Sequence, residues 1–307
     1  MPESDSTVLS RAVASTGSNA SRWHAHSYDH ATLYRLAEAL GWLPRGARLM
    51  LARQFGRLAQ RVLHRERAIV RDMLDRVTAA SDARLDALVR DLFGDFAMCF
   101  SDLVSTNRGS AADLSRYVSS VSGAEHLQLS SGVVSITAHV GNWELAGRLL
   151  ATQRARPTHV VVTAEDAPTL RRWVRRDADG MRFVPRANPA VGIELLRALR
   201  RGDVVALQGD RAIGTRGDIA IPFFGRPAPF PLGPFILARA AGVPVVPAFC
   251  LLDANRRYQV RVEPPIAVER GGEERAACIW VAALERVVRA HPTQWFNFFD
   301  VWRPFAT

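Results

Sequence analysis

The architecture of this chain can be predicted from one segment, Gly132-Val-Val-Ser-Ile-Thr-Ala-His139-Val-Gly-Asn-Trp-Glu144-Leu-Ala-Gly-Arg-Leu-Leu-Ala-Thr-Gln-Arg154. It begins with a β-branched apolar run, which predicts a buried strand. A turn follows, and Asn142 then occupies the position of a helix N-cap, with Glu144 in the first helical turn. His139 is left at the carboxyl end of the strand. In open α/β sheets this edge collects the residues that do chemistry.

The residue types at this edge favour base catalysis. A neutral imidazole can take a proton from a hydroxyl near neutral pH. Glu144 lies five residues after His139, and a carboxylate on the second ring nitrogen fixes the tautomer and stabilises the imidazolium. The alternative is structural: His139 ends a strand, and Glu144 interacts favourably with the helix dipole. Trp143 between them suits either a core position or a substrate wall.

The composition indicates a folded, basic protein. The 307 residues are 48% apolar with a mean hydropathy of −0.03, which allows a sizeable core. All 40 basic residues are arginine, as a GC-rich genome would produce, and the formal net charge is +10. Such a charge favours anionic partners: membrane lipid, phosphorylated glycolipid, an acidic carrier protein or nucleic acid. The three cysteines form neither a disulfide framework nor a metal-ligand spacing, which suits a reducing cytoplasm.

The N-terminal third is predicted to be helical after a flexible tail at residues 1–30, which lacks the pattern of a signal peptide. Residues 31–105 are predicted to associate with a membrane surface, because apolar residues recur at helical spacing with arginines between them. The alternative is a set of ordinary packing helices. The apolar positions are Leu49, Ala52, Phe55, Leu58, Ala59, Val62 and Leu63, and the arginines are Arg45, Arg48, Arg53, Arg57, Arg61, Arg65, Arg67 and Arg71. Since no segment reaches about 18 apolar residues, we expect peripheral attachment.

Residues 106–307 are predicted to form an α/β unit continuous with residues 31–105. Strands and helices alternate from residue 132 onward, which is typical of a mostly parallel central sheet flanked by helices. The predicted strands are 158–163, 181–184, 203–208, 218–224, 243–252 and, in a hairpin with the last of these, 258–262. The predicted helices are 167–178, 189–202, 234–241 and 274–290. The proline-rich segment after residue 224 is predicted to be a turn, and residues 106–131 show no clear pattern.

A second polar group, Gln208-Gly-Asp210-Arg211, follows the strand predicted at 203–208 and should lie at the same sheet edge as His139. Asp210 can orient the imidazole or bind an acceptor. Arg211 offers forked donors that suit a phosphate or a carbonyl oxygen. A plain turn without function is the alternative for this pattern.

The string His139-Val-Gly-Asn-Trp-Glu144 resembles the His-x4-Glu signature of the bacterial lipid A biosynthesis (lauroyl/myristoyl-type) acyltransferases, which belong to the wider lysophospholipid and glycerolipid acyltransferase group. Asp203-Val-Val-Ala-Leu-Gln-Gly-Asp210-Arg-Ala-Ile-Gly214 is similar to a later block of that family. Ile221-Pro-Phe-Phe-Gly225 and Leu237-Ala-Arg239-Ala-Ala-Gly-Val-Pro-Val-Val-Pro247 resemble its last blocks, which wall the acyl pocket. The resemblance covers residues 31–252. The ending Gln294-Trp295-Phe-Asn-Phe-Phe-Asp300-Val-Trp302 differs from the lipid A enzymes and resembles relatives with other acceptors.

This resemblance implies a glycerolipid acyltransferase-like fold and transfer of a fatty acyl group to a hydroxyl of a membrane lipid or glycolipid, with a lipid A-type acceptor. The donor is a thioester on acyl carrier protein or coenzyme A, and neither metal nor cofactor is needed. His139 is the expected general base, oriented by Glu144 or Asp210, and which of the two is its main partner stays open. Asn142, Trp143, Arg186 and Arg211 are the expected substrate-binding residues. Backbone N–H groups near Gly141 and Asn142 are the expected oxyanion donors.

The same resemblance implies a location at the cytoplasmic face of a bacterial inner membrane, peripheral or N-terminally anchored. Three alternatives stay open: an acyltransferase for another lipid, such as a polyene, pigment or lysophospholipid acceptor; a thioester hydrolase; and a non-catalytic basic scaffold on a membrane surface. Nucleic acid is not an expected partner, since the chain has no recognisable binding motif and no aromatic residues interleaved with basic ones on one face.

Overall fold

The computed structural model describes residues 31–106, 111–152, 156–162, 180–212, 214 and 217–303. The strands of this part of the chain are β1 (Val118–Ser122), β2 (Val133–Thr137), β3 (Thr158–Val162), β4 (Met181–Pro185), β5 (Val204–Gln208), β6 (Asp218–Phe223), β7 (Arg226–Pro231), β8 (Val245–Leu252) and β9 (Tyr258–Val262). The flexible tail predicted at residues 1–30 and the helix predicted at 167–178 lie outside the described residues.

Seven of these strands form one sheet in the order β1-β9-β8-β2-β5-β3-β4. Five of the six neighbouring pairs are parallel, and β8 and β9 form the antiparallel hairpin that the sequence predicts. The predicted mostly parallel α/β fold is therefore confirmed. Strand β2 lies at the centre of the sheet, and Val133, Val134 and Ile136 are completely buried there, as expected for a continuous apolar run.

Helices flank this sheet and form the N-terminal region. Their ranges are α1 (Ala31–Leu40), α2 (Arg45–Ala59), α3 (His64–Thr78), α4 (Asp82–Thr106), α5 (Ala111–Ser115), α6 (Trp143–Thr152), α7 (Val191–Arg200), α8 (Gly233–Ala241) and α9 (Glu273–Ala290). Short 3-10 turns lie at Ala124–Leu127 and Pro292–Gln294. Buried residues of α2, α3 and α4 belong to the same hydrophobic core as those of the sheet.

Two local predictions differ from the structure, and one strand was not predicted. The proline-rich segment predicted as a turn is strand β7, which pairs antiparallel with β6; prolines are tolerated there because this two-stranded ribbon is all edge. Helix α7 begins at Val191 rather than at Pro189, because Asn188 first forms a turn in which its side-chain oxygen accepts the Ala190 N–H at 3.0 Å. Strand β1 lies in a polar segment that carried no prediction, and it pairs with β9 at the sheet edge.

The arginines of α2 and α3 are mostly turned towards α4. Six of the eight that the sequence assigned to a membrane-facing pattern form ion pairs with aspartates of α4: Arg45 and Arg48 with Asp102, Arg53 and Arg57 with Asp91, and Arg67 and Arg71 with Asp86. The periodic arginines therefore hold the helices of this region together, as in the alternative of packing helices.

Asp95 of α4 gives a pH-dependent contribution to stability. Burial raises the pKa of its carboxyl to about 6, although the Thr293 hydroxyl, which donates to Oδ2 at 2.7 Å, acts in the opposite direction. A raised pKa means that the folded protein loses stability as pH rises from about 4 to about 6. We expect Asp95→Asn to stabilise the protein by at most about 3 kcal/mol at pH 8. The gain should fall below about 1 kcal/mol at pH 4, where the folded state holds the proton and the unfolded state is only about half ionised.

Thermal unfolding of wild type and Asp95→Asn at these two pH values tests this expectation. Asp91→Asn is the matched control, since Asp91 lies one turn away on α4 and is paired with Arg53 and Arg57. That change should destabilise the protein at pH 8. An Asp95→Asn protein that is less stable than wild type at pH 8 contradicts the prediction.

Candidate active site

The segment after β2 is held in place by segments that come later in the chain. The carbonyl of His139 accepts the Phe296 N–H at 2.8 Å, and Val140 forms an isolated bridge with Trp295. Gly141 has a φ of 61°, and a Cβ at this position would meet the Cys250 carbonyl oxygen at 1.9 Å. Only glycine fits this turn, which directs the backbone from the strand into α6.

Asn142 is the N-cap of α6, as predicted. Its Oδ1 accepts the Leu145 N–H at 3.3 Å, while Nδ2 donates to the Cys99 carbonyl and to the Tyr258 hydroxyl, both at 3.2 Å. The side chain is buried, and both of its polar atoms bind other parts of the protein. Its geometry is that of a group that positions α6, and its predicted substrate contact stays a prediction.

The predicted oxyanion donors at Gly141 and Asn142 are engaged elsewhere. The Gly141 N–H donates to the Gln294 carbonyl at 2.8 Å, and the Asn142 N–H donates to the Cys250 carbonyl at 2.9 Å. These two N–H groups are therefore not available as oxyanion donors, because the turn uses them to bind neighbouring chain segments. An oxyanion donor elsewhere near the start of α6 stays a prediction.

Asp210 is the carboxylate on Nδ1 of His139. Its Oδ1 lies 2.8 Å from Nδ1, and its Oδ2 accepts the His139 backbone N–H at 3.0 Å. The sheet explains this meeting: β2 and β5 are paired with Thr137 opposite Gln208, and the Gly209 N–H donates to the Thr137 carbonyl at 2.8 Å. Two residues beyond this register on each strand are His139 and Asp210.

The electrostatics of the pair favour an ionised Asp210. Burial alone raises the pKa of this carboxyl, but attraction to His139 and the hydrogen bonds from its ring and backbone outweigh burial, so the pKa lies well below the ordinary value. An ionised carboxylate only accepts hydrogen bonds, which assigns the imidazole proton to Nδ1. The ring of Trp143 packs edge-on against the imidazole with centroids 4.9 Å apart.

The remaining predicted site residues take different places. Glu144 is half-buried in the first turn of α6. Arg211 donates from Nε to Asn297 Oδ1 at 3.2 Å, and its guanidinium lies 4.8 Å from the centre of the Phe299 ring. Arg186 follows β4, the edge strand, three strand spacings from β2, which is about 14 Å away across the sheet. Within the described part of the chain, no group of three His, Cys, Asp or Glu side chains could hold a metal ion.

Comparison with known proteins bears on this arrangement. The model of the family described as bacterial lipid A biosynthesis acyltransferase matches residues 26–304. The chain belongs to this family. The match includes residues 294–302, which lie beyond the 31–252 range of the resemblance found in the sequence.

The individual relatives found are acyltransferases that share 25–28% sequence identity with this chain. The chain is 28% identical over 193 residues to a phosphatidylinositol mannoside acyltransferase of Mycobacterium tuberculosis. The aligned region covers 59% of each of the two chains. The chain is 25% identical over 183 residues to a protein of the same name from Mycolicibacterium smegmatis, which covers 57% of this chain and 58% of the other. The chain thus spans less than two thirds of the length of these relatives.

The candidate site also contains residues that the sequence did not single out. Trp295 donates from Nε1 to Asp210 Oδ2 at 3.2 Å, and Asn297 Nδ2 lies 3.4 Å from the same oxygen. Both side chains are buried. From the sequence, this segment was noted only as an ending that differs from that of the lipid A enzymes. A tryptophan and an asparagine in one short apolar run were the available signal, because buried polar groups need partners.

Proposed function

We propose that this protein transfers a fatty acyl group from a thioester, on acyl carrier protein or coenzyme A, to a hydroxyl of a membrane glycolipid. The observation that carries the proposal is the buried His139–Asp210 pair at the carboxyl edge of the sheet, in a chain of an acyltransferase family. The carboxylate fixes the proton on Nδ1 and leaves Nε2 as the nitrogen that accepts a proton from substrate.

In the proposed reaction, the acceptor hydroxyl loses its proton to Nε2 of His139 as its oxygen attacks the thioester carbonyl. The imidazolium that forms is stabilised by Asp210, which is held in turn by Trp295 and Asn297. Collapse of the tetrahedral intermediate breaks the C–S bond, and the proton passes from the imidazolium to the leaving thiolate. The products are an ester and a free thiol, and no acyl-enzyme intermediate is formed.

The other residues are assigned from their positions. Trp143 packs on the imidazole and forms one wall of the space where the acceptor hydroxyl reacts. Glu144 stabilises the first turn of α6. Arg211 lies next to Asp210 and suits a phosphate or a carbonyl oxygen of the substrate. Arg186, farther along the same edge, suits a phosphate at the other end of an extended substrate. Asn142 acts through the position of α6.

The proposed acceptor is a sugar hydroxyl on an anionic, membrane-anchored glycolipid. A net charge of +10 favours such a lipid over a neutral one. Both lipid A-type glycolipids and phosphatidylinositol mannosides share this chemistry, and the latter appear in the names of the relatives. A lipid A-type acceptor at the cytoplasmic face of an inner membrane is the first to test.

The decisive experiment incubates the full chain with a radiolabelled acyl chain carried on acyl carrier protein or coenzyme A. One acceptor is added at a time: a lipid A precursor, a phosphatidylinositol mannoside or a lysophospholipid. Mass spectrometry of the labelled lipid identifies the acceptor class. Label that appears as free fatty acid in every arm indicates a thioester hydrolase. Absence of any turnover, with vesicle binding intact, indicates a non-catalytic scaffold.

We extend the proposal to a peripheral contact with an anionic bilayer through the outer face of α2. Leu51, Phe55 and Leu58 are each about half exposed, and Val62 just beyond the helix is more so. Their spacing of four, three and four residues places them on one stripe. Exposed Arg61 and Arg65 follow it and supply charge complementary to anionic lipid. No helix of the described ranges is long and apolar enough to cross a membrane.

Leu58→Ser is expected to weaken binding to phosphatidylglycerol-containing vesicles about tenfold, which corresponds to about 1.4 kcal/mol of lost apolar burial. Ile193→Ser on α7 is the matched control, because Ile193 is 58% exposed and Leu58 is 56% exposed. Vesicle sedimentation measures both variants. Equal weakening by the two changes means that the bilayer does not contact α2 specifically.

A further inference from the structure

A buried polar network joins the start of α2 to the interior. Asp102 of α4 is completely buried. Its Oδ2 accepts Arg45 at 2.7 Å, and its Oδ1 accepts Arg48 at 2.5 Å. The Tyr258 hydroxyl also donates to Oδ2, at 2.9 Å. Since a buried carboxylate needs its charge balanced, the two arginines fix the first turn of α2 against α4.

The same network reaches the candidate active site. The Tyr258 hydroxyl accepts a hydrogen bond from Asn142 Nδ2 at 3.2 Å while it donates to Asp102. Asn142 is the N-cap of α6 and lies three residues after His139. Burial raises the pKa of Tyr258 well above its ordinary value, so the hydroxyl keeps its proton and its donor role. Two arginines, one carboxylate, one phenol and one amide thus connect α2 with α6.

Helix α2 has two faces with different partners. Arg48, Leu49, Ala52 and Gly56 are buried against the rest of the protein, whereas Leu51, Phe55 and Leu58 are exposed. A lipid surface that contacts the exposed stripe therefore acts on the helix whose first turn is attached to Asp102. The hydrogen bonds of Asp102 and Tyr258 offer a path from this turn to the α6 N-cap.

We propose that Tyr258 is a positioning residue that couples contact of α2 with a lipid surface to the placement of His139. The inference rests on the proposed function. In this view acyl transfer is faster on anionic vesicles than in detergent, because lipid contact fixes α2 and, through Asp102, Tyr258 and Asn142, the start of α6. Among the described residues, the phenol hydroxyl is the group that bonds both the Asp102 carboxylate and the Asn142 amide, while the Cys99 carbonyl attaches Asn142 to the backbone of α4.

The Tyr258→Phe variant removes this group with little change in shape. Asp102 keeps both arginines, and Asn142 Nδ2 keeps the Cys99 carbonyl, so the variant is expected to fold. Tyr117→Phe is the matched control. The Arg45 guanidinium lies 4.5 Å from the centre of the Tyr117 ring. Tyr117→Phe therefore removes one hydroxyl near the same network, as Tyr258→Phe does.

The test compares kcat on phosphatidylglycerol vesicles with kcat in detergent micelles for wild type and both variants. In Tyr258→Phe we expect the vesicle-to-detergent ratio to fall to about one, with vesicle binding unchanged; Tyr117→Phe should keep the wild-type ratio. A ratio that survives in Tyr258→Phe, or an equal loss of kcat in both media, overturns the coupling.

Hydrogen exchange gives a readout that needs no turnover. Vesicles are expected to slow amide exchange in residues 139–146 of wild type and of Tyr117→Phe but not of Tyr258→Phe. If wild type transfers no acyl group to any acceptor, the proposed function fails, yet this measurement still decides the coupling. Vesicle protection of residues 139–146 that is the same in wild type and Tyr258→Phe refutes it.

Discussion

Replacing His139 by alanine is expected to lower kcat for acyl transfer by about 100- to 10,000-fold, the range lost when a general base is removed. The effect should fall on kcat, because proton transfer to Nε2 stabilises the transition state and contributes little to binding of the thioester. Steady-state kinetics with the acceptor that the labelling experiment identifies provide the measurement. The KM for the donor should change by less than about threefold.

The chain offers a matched control for this change. His159 at the start of β3 is also buried and also paired with an aspartate, since its Nε2 lies 3.0 Å from Asp203 Oδ2. Asp203 comes just before β5, whereas Asp210 comes just after it, so the His159–Asp203 pair lies at the opposite edge of the sheet from His139. His159→Ala should lower the melting temperature and leave kcat within about threefold of wild type. If His139→Ala loses no more activity than His159→Ala, a general base at residue 139 is ruled out.

The sequence predicted the local architecture of the site well, because local rules govern it. A strand of β-branched residues, a glycine at the turn and an asparagine N-cap are each readable within a few residues. Structure agrees with all three in β2, Gly141 and Asn142. Parallel strands share one carboxyl edge, so the presence of Asp210 near His139 was also predictable.

The partner of Nδ1 could not be chosen in the same way. Glu144 is five residues from His139 and Asp210 is 71 residues away, and sequence separation favours the nearer group. The choice depends on the register of β2 with β5, in which Thr137 lies opposite Gln208. Register is fixed by packing across the whole sheet, and a single strand does not reveal it. The contacts of Trp295 and Asn297 with Asp210 depend on the packing of a segment 85 residues farther along.

The periodicity of α2 was informative about helix formation and misleading about faces. Leu49 and Phe55 were predicted to share one apolar face, but the first is buried and the second is exposed. The aspartates that pair with the arginines, Asp91 and Asp102, belong to another helix. A pattern within one helix cannot show which side faces a partner when both sides carry apolar residues.

Asp210→Asn is expected to lower kcat by about 100- to 10,000-fold, because the imidazolium formed in the transition state loses its compensating charge and the preferred tautomer is no longer enforced. The substitution keeps the size of the side chain, and an amide oxygen can still accept the His139 N–H. Glu144→Gln is expected to cost at least tenfold less in kcat, since the carboxylate on Nδ1 is that of Asp210. Both variants are measured at saturating donor.

The matched control for Asp210→Asn is Asp203→Asn, which neutralises the carboxylate of the His159 pair at the opposite sheet edge. Both changes remove a buried negative charge beside an imidazole, so both should lower the melting temperature. Only the change at residue 210 should reduce kcat, because only that imidazole is next to the proposed substrate. A Glu144→Gln protein that is as slow as Asp210→Asn, with both folded, transfers the orienting role to Glu144 and leaves Asp210 as a structural acceptor for the turn after β2.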